Sequence, residues 1–201
     1  MGVSFESSET RLNLMRAFAG ESQARSRYLF AAGLARKQGL HVIEGVFTFT
    51  AGQEGAHAKV FYHELGKLCG QTIQVDGAYP VDLYPTVLEH LRAARHNEYQ
   101  EYEHVYTGFA KTAKEEGFPE ISHIFSEIAR IEQIHGDRFG RLADLLEEER
   151  LFVAEEKISW MCLKCGHVVE GAAAPAVCPV CRHPQGYFVR FELSPYPPNR
   201  L

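Results

Sequence analysis

The stretches that decide the fold of this 201-residue chain are QEGAHA at residues 53–58 and EQIH at residues 132–135. Each contains a glutamate and a histidine three residues apart, and on an α-helix this spacing places both side chains on one face. A further glutamate precedes each motif: Glu21 lies 33 residues before Glu54, and Glu98 lies 34 residues before Glu132. The chain therefore uses one pattern twice, which predicts two similar helical hairpins.

The sequence around these motifs has the apolar periodicity of four long helices. We expect helices over residues 10–38, 41–65, 85–116 and 119–150. Pro85 suits the first turn of the third helix. Residues 67–84 show little helical pattern and predict a long connection, whereas the other two joins are short. Two helical hairpins linked by one long crossover are typical of ferritin-like four-helix bundles.

Inward-facing positions on four such helices would bring carboxylates and imidazoles to one centre, as in bundles that hold two metal ions. The candidate ligands are Glu21, Glu54, His57, Glu98, Glu132 and His135. This donor set suits iron or manganese. The alternative is a set of exposed side chains, but the motif recurs and its neighbours are small or apolar. These neighbours are Ala51, Gly55, Ala58, Ile128, Ile131 and Ile134.

Glu101 breaks the symmetry of the two halves. It follows Glu98 by three residues, so the third helix offers two carboxylates on one face, whereas the first offers only Glu21. The alternative is a surface glutamate, because residues 96–101 form a polar run.

Residues 158–201 differ in composition from the helical part, with four of the five cysteines and six of the nine prolines. Their β-prone segments are residues 158–162, 167–170 and 187–191. We therefore expect a mainly α protein with two domains, a helical bundle at residues 1–156 and a small β-rich metal-binding domain at residues 157–201.

Four cysteines in the second domain form two Cys-x-x-Cys pairs separated by twelve residues, namely Cys162, Cys165, Cys178 and Cys181. Two such pairs hold one tetrahedral ion with four thiolates. The spacing leaves zinc and iron open, because both accept this geometry. The fifth cysteine, Cys69, lies in the crossover, where we expect a small buried thiol.

The composition excludes several classes of partner. The net charge is −5 and no cluster of lysine and arginine forms a phosphate-binding stripe, so nucleic acid is not an expected partner. The N-terminal sequence has no signal-peptide pattern, and no apolar run approaches the ~18 residues of a membrane span. We therefore expect a cytoplasmic protein without a membrane partner, in which disulfides are disfavoured.

The motifs together resemble the rubrerythrin family. MCLKCGH at residues 161–167, CPVCRHP at 178–184 and GYF at 186–188 are similar to the rubredoxin-type module, and GESQA at 20–24 with the two glutamate–histidine motifs is similar to the family's helical domain. The resemblance implies a ferritin-like domain with a non-haem di-iron site and a rubredoxin-like domain with one iron, or zinc in recombinant protein. The implied activity is a peroxidase reaction, the reduction of hydrogen peroxide to water in oxidative-stress defence.

The resemblance also assigns roles to residues. The implied di-iron ligands are Glu21, Glu54, Glu98, Glu101, Glu132 and His135, with His57 as the ligand of one redox state. An exchange between Glu101 and His57 on reduction is therefore expected. Tyr28, and Tyr102 or Tyr106, match aromatic positions close to the family's iron site.

The family further implies a homodimer and an electron donor, either a rubredoxin or an NAD(P)H-dependent reductase. No nucleotide-binding glycine motif is visible, so the donor is expected to be a separate protein. Two other functions stay open at this point. The chain could be a ferroxidase or iron-storage protein that uses the helical domain alone, or a zinc-knuckle interaction module attached to a bundle.

Overall fold

Four long helical rods form the first part of the computed structural model, which describes residues 3–195. The elements are α1 (Glu9–Lys37), α2 (His41–Glu64), α3 (Val87–Gln100), a π-helical segment (Glu101–Val105), α4 (Tyr106–Glu116) and α5 (Pro119–Glu147). The π segment joins α3 and α4 into one continuous rod, because its flanking residues keep right-handed helical angles. The four predicted helices are confirmed.

The helix ends differ from the prediction by more than one residue at two places. The third rod begins at Val87 and not at Pro85, because Thr86 is the N-cap and forms a capping box with Glu89. The fourth ends at Glu147, three residues before the predicted end, and the chain then leaves helical angles at Glu149, whose φ is 56°.

The rods pack as two hairpins. α1 lies against α2, and α5 lies against the rod formed by α3 and α4. Residues 69–84 connect the hairpins without a helix or strand, as predicted. This connection is tied to α1 by ion pairs from Arg16 to Asp76, at 2.7 Å, and from Arg27 to Asp82. The two-hairpin arrangement places one face of every rod in a common interior.

The C-terminal part is a three-stranded antiparallel sheet with the order β2-β1-β3. Its strands are β1 (Val153–Cys162), β2 (Val168–Ala173) and β3 (Phe188–Arg190). Trp160 lies at its core, fully buried, and donates from its indole nitrogen to the carbonyl of Gly171 at 2.9 Å. The predicted β segments are confirmed. The division at residues 156 and 157 stays a prediction, although β1 already begins at Val153.

The small domain contacts the bundle at the turn between α1 and α2. The ring of Tyr187 stacks on His41 with centroids 3.9 Å apart. Gly186 lies so close to this turn that a Cβ there would be 1.7 Å from the carbonyl oxygen of Gly39. The contact between the domains is therefore so close at residue 186 that only glycine fits there.

We expect Gly186→Ala to separate the small domain from the bundle while both domains stay folded. A backbone oxygen cannot move aside as a flexible side chain can, so the contact has to open, at a cost of about 1–3 kcal/mol. Small-angle scattering should show a larger radius of gyration, and limited proteolysis should cut residues 148–152 faster. Gly33→Ala is the control, because a Cβ at Gly33 meets nothing within 4 Å. Equal scattering curves for both variants would contradict the docking contact.

Two further expectations from the sequence concern the thiol of Cys69 and the possibility of a membrane span. Cys69 is exposed, which corrects the expected buried thiol, because the preceding Leu68 fills the buried position. Among the described helices, none combines the length and apolarity needed to cross a bilayer. The end of the proline-rich tail, residues 196–198, lies outside the described residues.

Candidate metal centres

Six of the predicted side chains come together in the bundle interior as two overlapping groups. The ligand atoms in each group lie within 4.8 Å of one another. One group contains Glu21, Glu54, His57 and Glu132, and the other contains Glu54, Glu98, Glu132 and His135. Glu54 and Glu132 belong to both groups, so every rod contributes and the two hairpins contribute alike.

Apolar clusters close the interior on either side of this polar layer. On α2, Phe47 lies in one cluster and Phe61 in the other, with Glu54 and His57 between them. The same order holds on α5, α1 and the third rod. The charged layer is therefore sealed above and below by aromatic side chains, because each helix changes from apolar to acidic and back along one face.

Most ligand atoms of these groups have no hydrogen-bond partner in the described structure. The orphaned atoms are Glu21 Oε2, Glu54 Oε1 and Oε2, His57 Nδ1, Glu98 Oε2, Glu132 Oε1 and Oε2, and His135 Nδ1. Buried polar atoms normally have a hydrogen-bond partner. A set of eight such atoms without one in a single place therefore indicates a site for a ligand. Carboxylate oxygens and imidazole nitrogens fit metal ions of the iron and manganese type.

Two tyrosines orient carboxylates in this layer. The hydroxyl of Tyr106 donates to Glu21 Oε1 at 2.5 Å, and that of Tyr28 donates to Glu98 Oε1. Burial and the neighbouring carboxylates raise the pKa of both phenols, so they remain donors at neutral pH. The sequence left Tyr102 and Tyr106 open as the second aromatic residue near the site, and in the structure it is Tyr106 that donates to a carboxylate of the layer.

The charges of the layer are strongly coupled. Burial and the other carboxylates raise the pKa of Glu21 and Glu98. Burial opposes a charge on His57, but Glu132, Glu21 and Glu54 outweigh it and raise the pKa of His57 to about 12. The metal-free layer therefore holds extra protons at neutral pH.

We expect the metal-free protein to lose stability as the pH rises from 5 to 9. Groups with a raised folded pKa stabilise below their unfolded pKa, and this contribution is lost as the pH rises toward the folded value; Glu21, Glu98 and His57 all have this sign. Each excess proton held by the folded state gives a slope of about 1.4 kcal/mol per pH unit. Thermal melts across this range measure it.

The metal-loaded protein should behave in the opposite way. Ligands must lose their protons to bind, so the stabilisation by metal is expected to grow with pH. Melts of the metal-free protein that do not change between pH 5 and 9 would contradict the proton assignment.

Glu101 lies outside both groups. It stands at the start of the π segment, close enough to the layer that burial and the carboxylates of Glu132 and Glu54 raise its pKa. The sequence did not predict the π segment, because the periodicity of α3 continues into α4 without an interrupting glycine or proline. Such single π turns often occur at functional sites.

Ile134, an apolar neighbour of the second glutamate–histidine motif, does not face the interior as expected from the sequence. Ile134 is 56 % exposed, because a residue directly before His135 faces away from the interior on the same helix. Of the other two neighbours of that motif, Ile128 is buried as expected and Ile131 is half-buried.

Two polar side chains beside His135 were not predicted from the sequence. Gln53 Oε1 lies 3.1 Å from His135 Nε2, and Arg138 donates to the same oxygen at 2.9 Å. Helical spacing within either helix gives no sign of this contact, because it joins α2 to α5.

The four cysteines of the small domain form one group, again within 4.8 Å of one another. The sulfur atoms of Cys162 and Cys181 are 3.7 Å apart, as are those of Cys165 and Cys178. A tetrahedral metal with bonds of about 2.3 Å to sulfur places its ligands about 3.8 Å apart. The residues present therefore fit one tetrahedral ion.

Backbone N–H groups point at these sulfurs. Burial works to raise the pKa of Cys178, but the N–H groups of Cys181 and Val180 outweigh it and lower this pKa to about 6. Gly166, with φ 76°, turns the chain after the first pair, and its N–H donates to the carbonyl of Cys162 at 2.8 Å. The thiolate of Cys178 is therefore available near neutral pH.

The fold and these sites define a class: a ferritin-like bundle with a carboxylate and imidazole layer for two metal ions, followed by a tetrathiolate module. The family model described as Rubrerythrin matches residues 13–143, and the one described as Rubrerythrin, rubredoxin-like domain, matches residues 160–189. The chain belongs to the rubrerythrin family.

Curated relatives agree over almost the whole chain. Rubrerythrin of Clostridium perfringens is 43 % identical over 190 residues, which cover 94 % of this chain and 97 % of the relative. Rubrerythrin of Porphyromonas gingivalis is 43 % identical over 188 residues, covering 94 % and 92 %.

Solved structures share the fold. The partially reduced state of nigerythrin aligns with a TM-score of 0.62 and 25 % identity, covering 92 % of this chain and 90 % of that one. Symerythrin from Cyanophora paradoxa, reduced with dithionite, aligns with a TM-score of 0.60 and 21 % identity, covering 73 % and 89 %.

Proposed function

We propose that this chain is a non-haem di-iron peroxidase, an oxidoreductase that reduces hydrogen peroxide to water with electrons relayed through its tetrathiolate iron. The observation that carries the proposal is the presence, in one chain, of eight orphaned buried ligand atoms and a separate four-cysteine group. The two sets share no residue, so one can react while the other carries electrons.

The two sets of ligands differ in whether they leave a coordination position free for substrate. Glu54 and Glu132 belong to both groups and would help to hold both iron ions, together with Glu21 and His57 in one group and Glu98 and His135 in the other. Four thiolates complete a tetrahedral ion and leave no position for substrate. When bound, the iron pair supplies the two electrons that, with two protons, convert one hydrogen peroxide to two water molecules.

The protein side chains prepare this reaction. Tyr28 and Tyr106 hold terminal carboxylates through hydroxyl donors that remain protonated. The aromatic rings above and below the layer, including Phe61 and Phe139, exclude bulk water, which strengthens every electrostatic interaction inside.

Electron relay favours a homodimer. The tetrathiolate domain contacts its own bundle at His41, and Glu54 lies thirteen residues further along α2. At 1.5 Å per residue the helix alone separates these points by about 20 Å. A second copy that brings its cysteine group closer to the metal layer would shorten this path. A rubredoxin or an NAD(P)H-dependent reductase would supply the electrons, in the cytoplasm.

His57 and Glu101 are proposed as alternative ligands in the two redox states. His57 Nδ1 lies 3.0 Å from Glu132 Oε1, inside the first group, whereas Glu101 lies outside it. Five carboxylates exceed the charge of two ferrous ions by one, whereas four carboxylates with neutral imidazoles match it. A buried site favours the neutral set, so the described arrangement suits the reduced protein.

We expect His57→Ala to leave the oxidised iron pair assembled and to slow the peroxide reaction of the reduced protein by roughly 10–100-fold. The reason is that the reduced pair loses the neutral ligand that replaces Glu101. Rapid mixing of the reduced variant with peroxide measures the rate. His63→Ala on the exposed side of the same helix is the control. A reduced variant that reacts at the wild-type rate would remove His57 from this role.

A ferroxidase or iron-storage function is the alternative. It uses the helical domain alone, so the cysteine group argues against it. The discriminating experiment compares hydrogen peroxide and dioxygen as oxidants of the fully reduced protein, with a reductase and rubredoxin present. Sustained consumption of peroxide supports the peroxidase, and accumulation of an iron core with dioxygen supports storage.

A third possibility, a zinc-knuckle interaction module on a helical bundle, predicts different metal contents. Metal analysis and the visible spectrum of aerobic protein test it, because ferric tetrathiolate is strongly coloured and zinc is not. A colourless protein with zinc on the cysteines, after growth with ample iron, would contradict the electron relay.

A further inference from the structure

His135 is held from outside the metal layer by an amide on another helix. Its Nε2 lies 3.1 Å from Gln53 Oε1, whereas its Nδ1 lies 2.8 Å from Glu132 Oε2 and 3.1 Å from Glu54 Oε1. The two ring nitrogens therefore face different surroundings, an amide on one side and carboxylates on the other.

Arg138 decides which atom of that amide faces the ring. Its Nη1 donates to Gln53 Oε1 at 2.9 Å and to Thr50 Oγ1, also at 2.9 Å. A guanidinium has donors only, so it can be paired with the amide oxygen but not with the amide nitrogen. The same oxygen is the atom nearest His135, and it has two lone pairs for the two donors.

The state of the imidazole follows from this pairing. Since an amide oxygen can only accept, His135 Nε2 must carry a hydrogen, and in the neutral ring Nδ1 then keeps its lone pair. That lone pair points at the carboxylate layer, where Nδ1 is one of the orphaned atoms.

We propose that Gln53 and Arg138 are positioning residues that hold His135 in the tautomer whose Nδ1 binds a metal ion. The proposal rests on the proposed function only in requiring that the layer binds metal. Hydrogen bonds to the distal nitrogen of a metal-bound histidine fix ring orientation and raise basicity, and their loss typically costs 10–100-fold in metal affinity.

Arg138 is itself held in place between the helices. Its guanidinium carbon lies 5.4 Å from the ring centroid of Phe49, and its partner Thr50 is fully buried. Phe49, Thr50 and Gln53 belong to α2 and Arg138 to α5, so the network also fixes these helices relative to each other at the level of the metal layer.

The test uses protein loaded with zinc(II) at the paired site, because zinc gives sharp NMR signals. Long-range proton–nitrogen spectra of wild type should show a hydrogen on His135 Nε2. Gln53→Leu and Arg138→Leu should each lower zinc(II) affinity by about 10–100-fold. The double variant should lose no more than Gln53→Leu alone, because both act through one hydrogen bond.

Two further variants separate positioning from other effects. Gln53→Glu keeps an acceptor and should keep the Nε2 hydrogen and most of the affinity. Arg130→Leu removes the same charge from an exposed position of α5, where Arg130 pairs with Glu127, and should change neither the zinc(II) affinity nor the Nε2 hydrogen. Circular dichroism checks the helix content of each variant; if Arg138→Leu does not fold, Gln53→Leu against Gln53→Glu decides.

The outcomes are distinct. Wild-type affinity and an unchanged Nε2 hydrogen in Gln53→Leu would overturn the positioning role. A wild-type chain that binds no metal in the helical domain would instead contradict the proposed function and leave no layer for His135 to serve.

Discussion

Replacement of Cys162 by serine is expected to reduce steady-state peroxide turnover about a hundredfold or more, while a single oxidation of the iron pair by peroxide survives. Cys162 is fully buried in the small domain and belongs only to the cysteine group. The helical domain keeps its own ligands, so it should remain folded and loaded. Turnover with a rubredoxin and reductase measures the first effect, and rapid mixing of reduced protein with peroxide measures the second.

The same variant tests the path of the electrons. Cys69→Ser is the matched control, because this exposed cysteine lies outside the group, and it should keep full turnover. Mixing Cys162→Ser with Glu132→Ala, which lacks a carboxylate common to both groups of the layer, should restore part of the turnover if electrons pass between chains. Unchanged turnover in a Cys162→Ser protein shown to lack the tetrathiolate iron would contradict the relay.

Removal of metal from the helical domain is expected to lower its melting temperature by on the order of 20 °C. Each of two sites held a thousandfold above its dissociation constant adds about 4 kcal/mol, and a chain of this size gains roughly 2–4 °C per kcal/mol. The cause is the set of orphaned carboxylate oxygens, which two metal ions would satisfy together. Calorimetry of metal-free and iron-loaded protein, in the Cys162→Ser background, measures the difference.

The control for metal removal lies on the same helix. Glu127→Gln changes a half-exposed carboxylate of α5 that lies outside both groups and should leave the metal-induced shift intact, whereas Glu132→Gln should abolish most of it. Identical melting temperatures with and without metal would show that the carboxylates of the layer do not act as a metal site.

The helical fold could be predicted from the sequence because the residues that define it repeat at helical spacing. Glu54 and His57 share a helix face whatever surrounds them, and the recurrence around Glu132 fixes which faces must meet. The cysteine pairs were visible for the same reason, since Cys162 and Cys165 lie within one turn of chain. Local spacing was enough in each case.

Contacts between distant segments were not visible in the sequence. The network of Gln53 and Arg138 joins residues 85 positions apart, and the contact of Gly186 with Gly39 depends on how the domains dock. The π segment that sets Glu101 apart replaces ordinary helix without a change in composition. Each of these features depends on tertiary packing, which the local pattern of residues within a helix does not reveal.

The most direct test of the peroxidase account is an anaerobic rapid-mixing titration of fully reduced protein with hydrogen peroxide. Absorbance of the ferric tetrathiolate reports one centre, and the near-ultraviolet absorbance of the oxidised pair reports the other. One peroxide should be consumed for every two electrons, and the pair should be oxidised first. The tetrathiolate colour should develop afterwards and be lost in Glu132→Ala. Tetrathiolate that oxidises at the same rate in Glu132→Ala, or a reduced pair that does not react with peroxide, would contradict the peroxidase account.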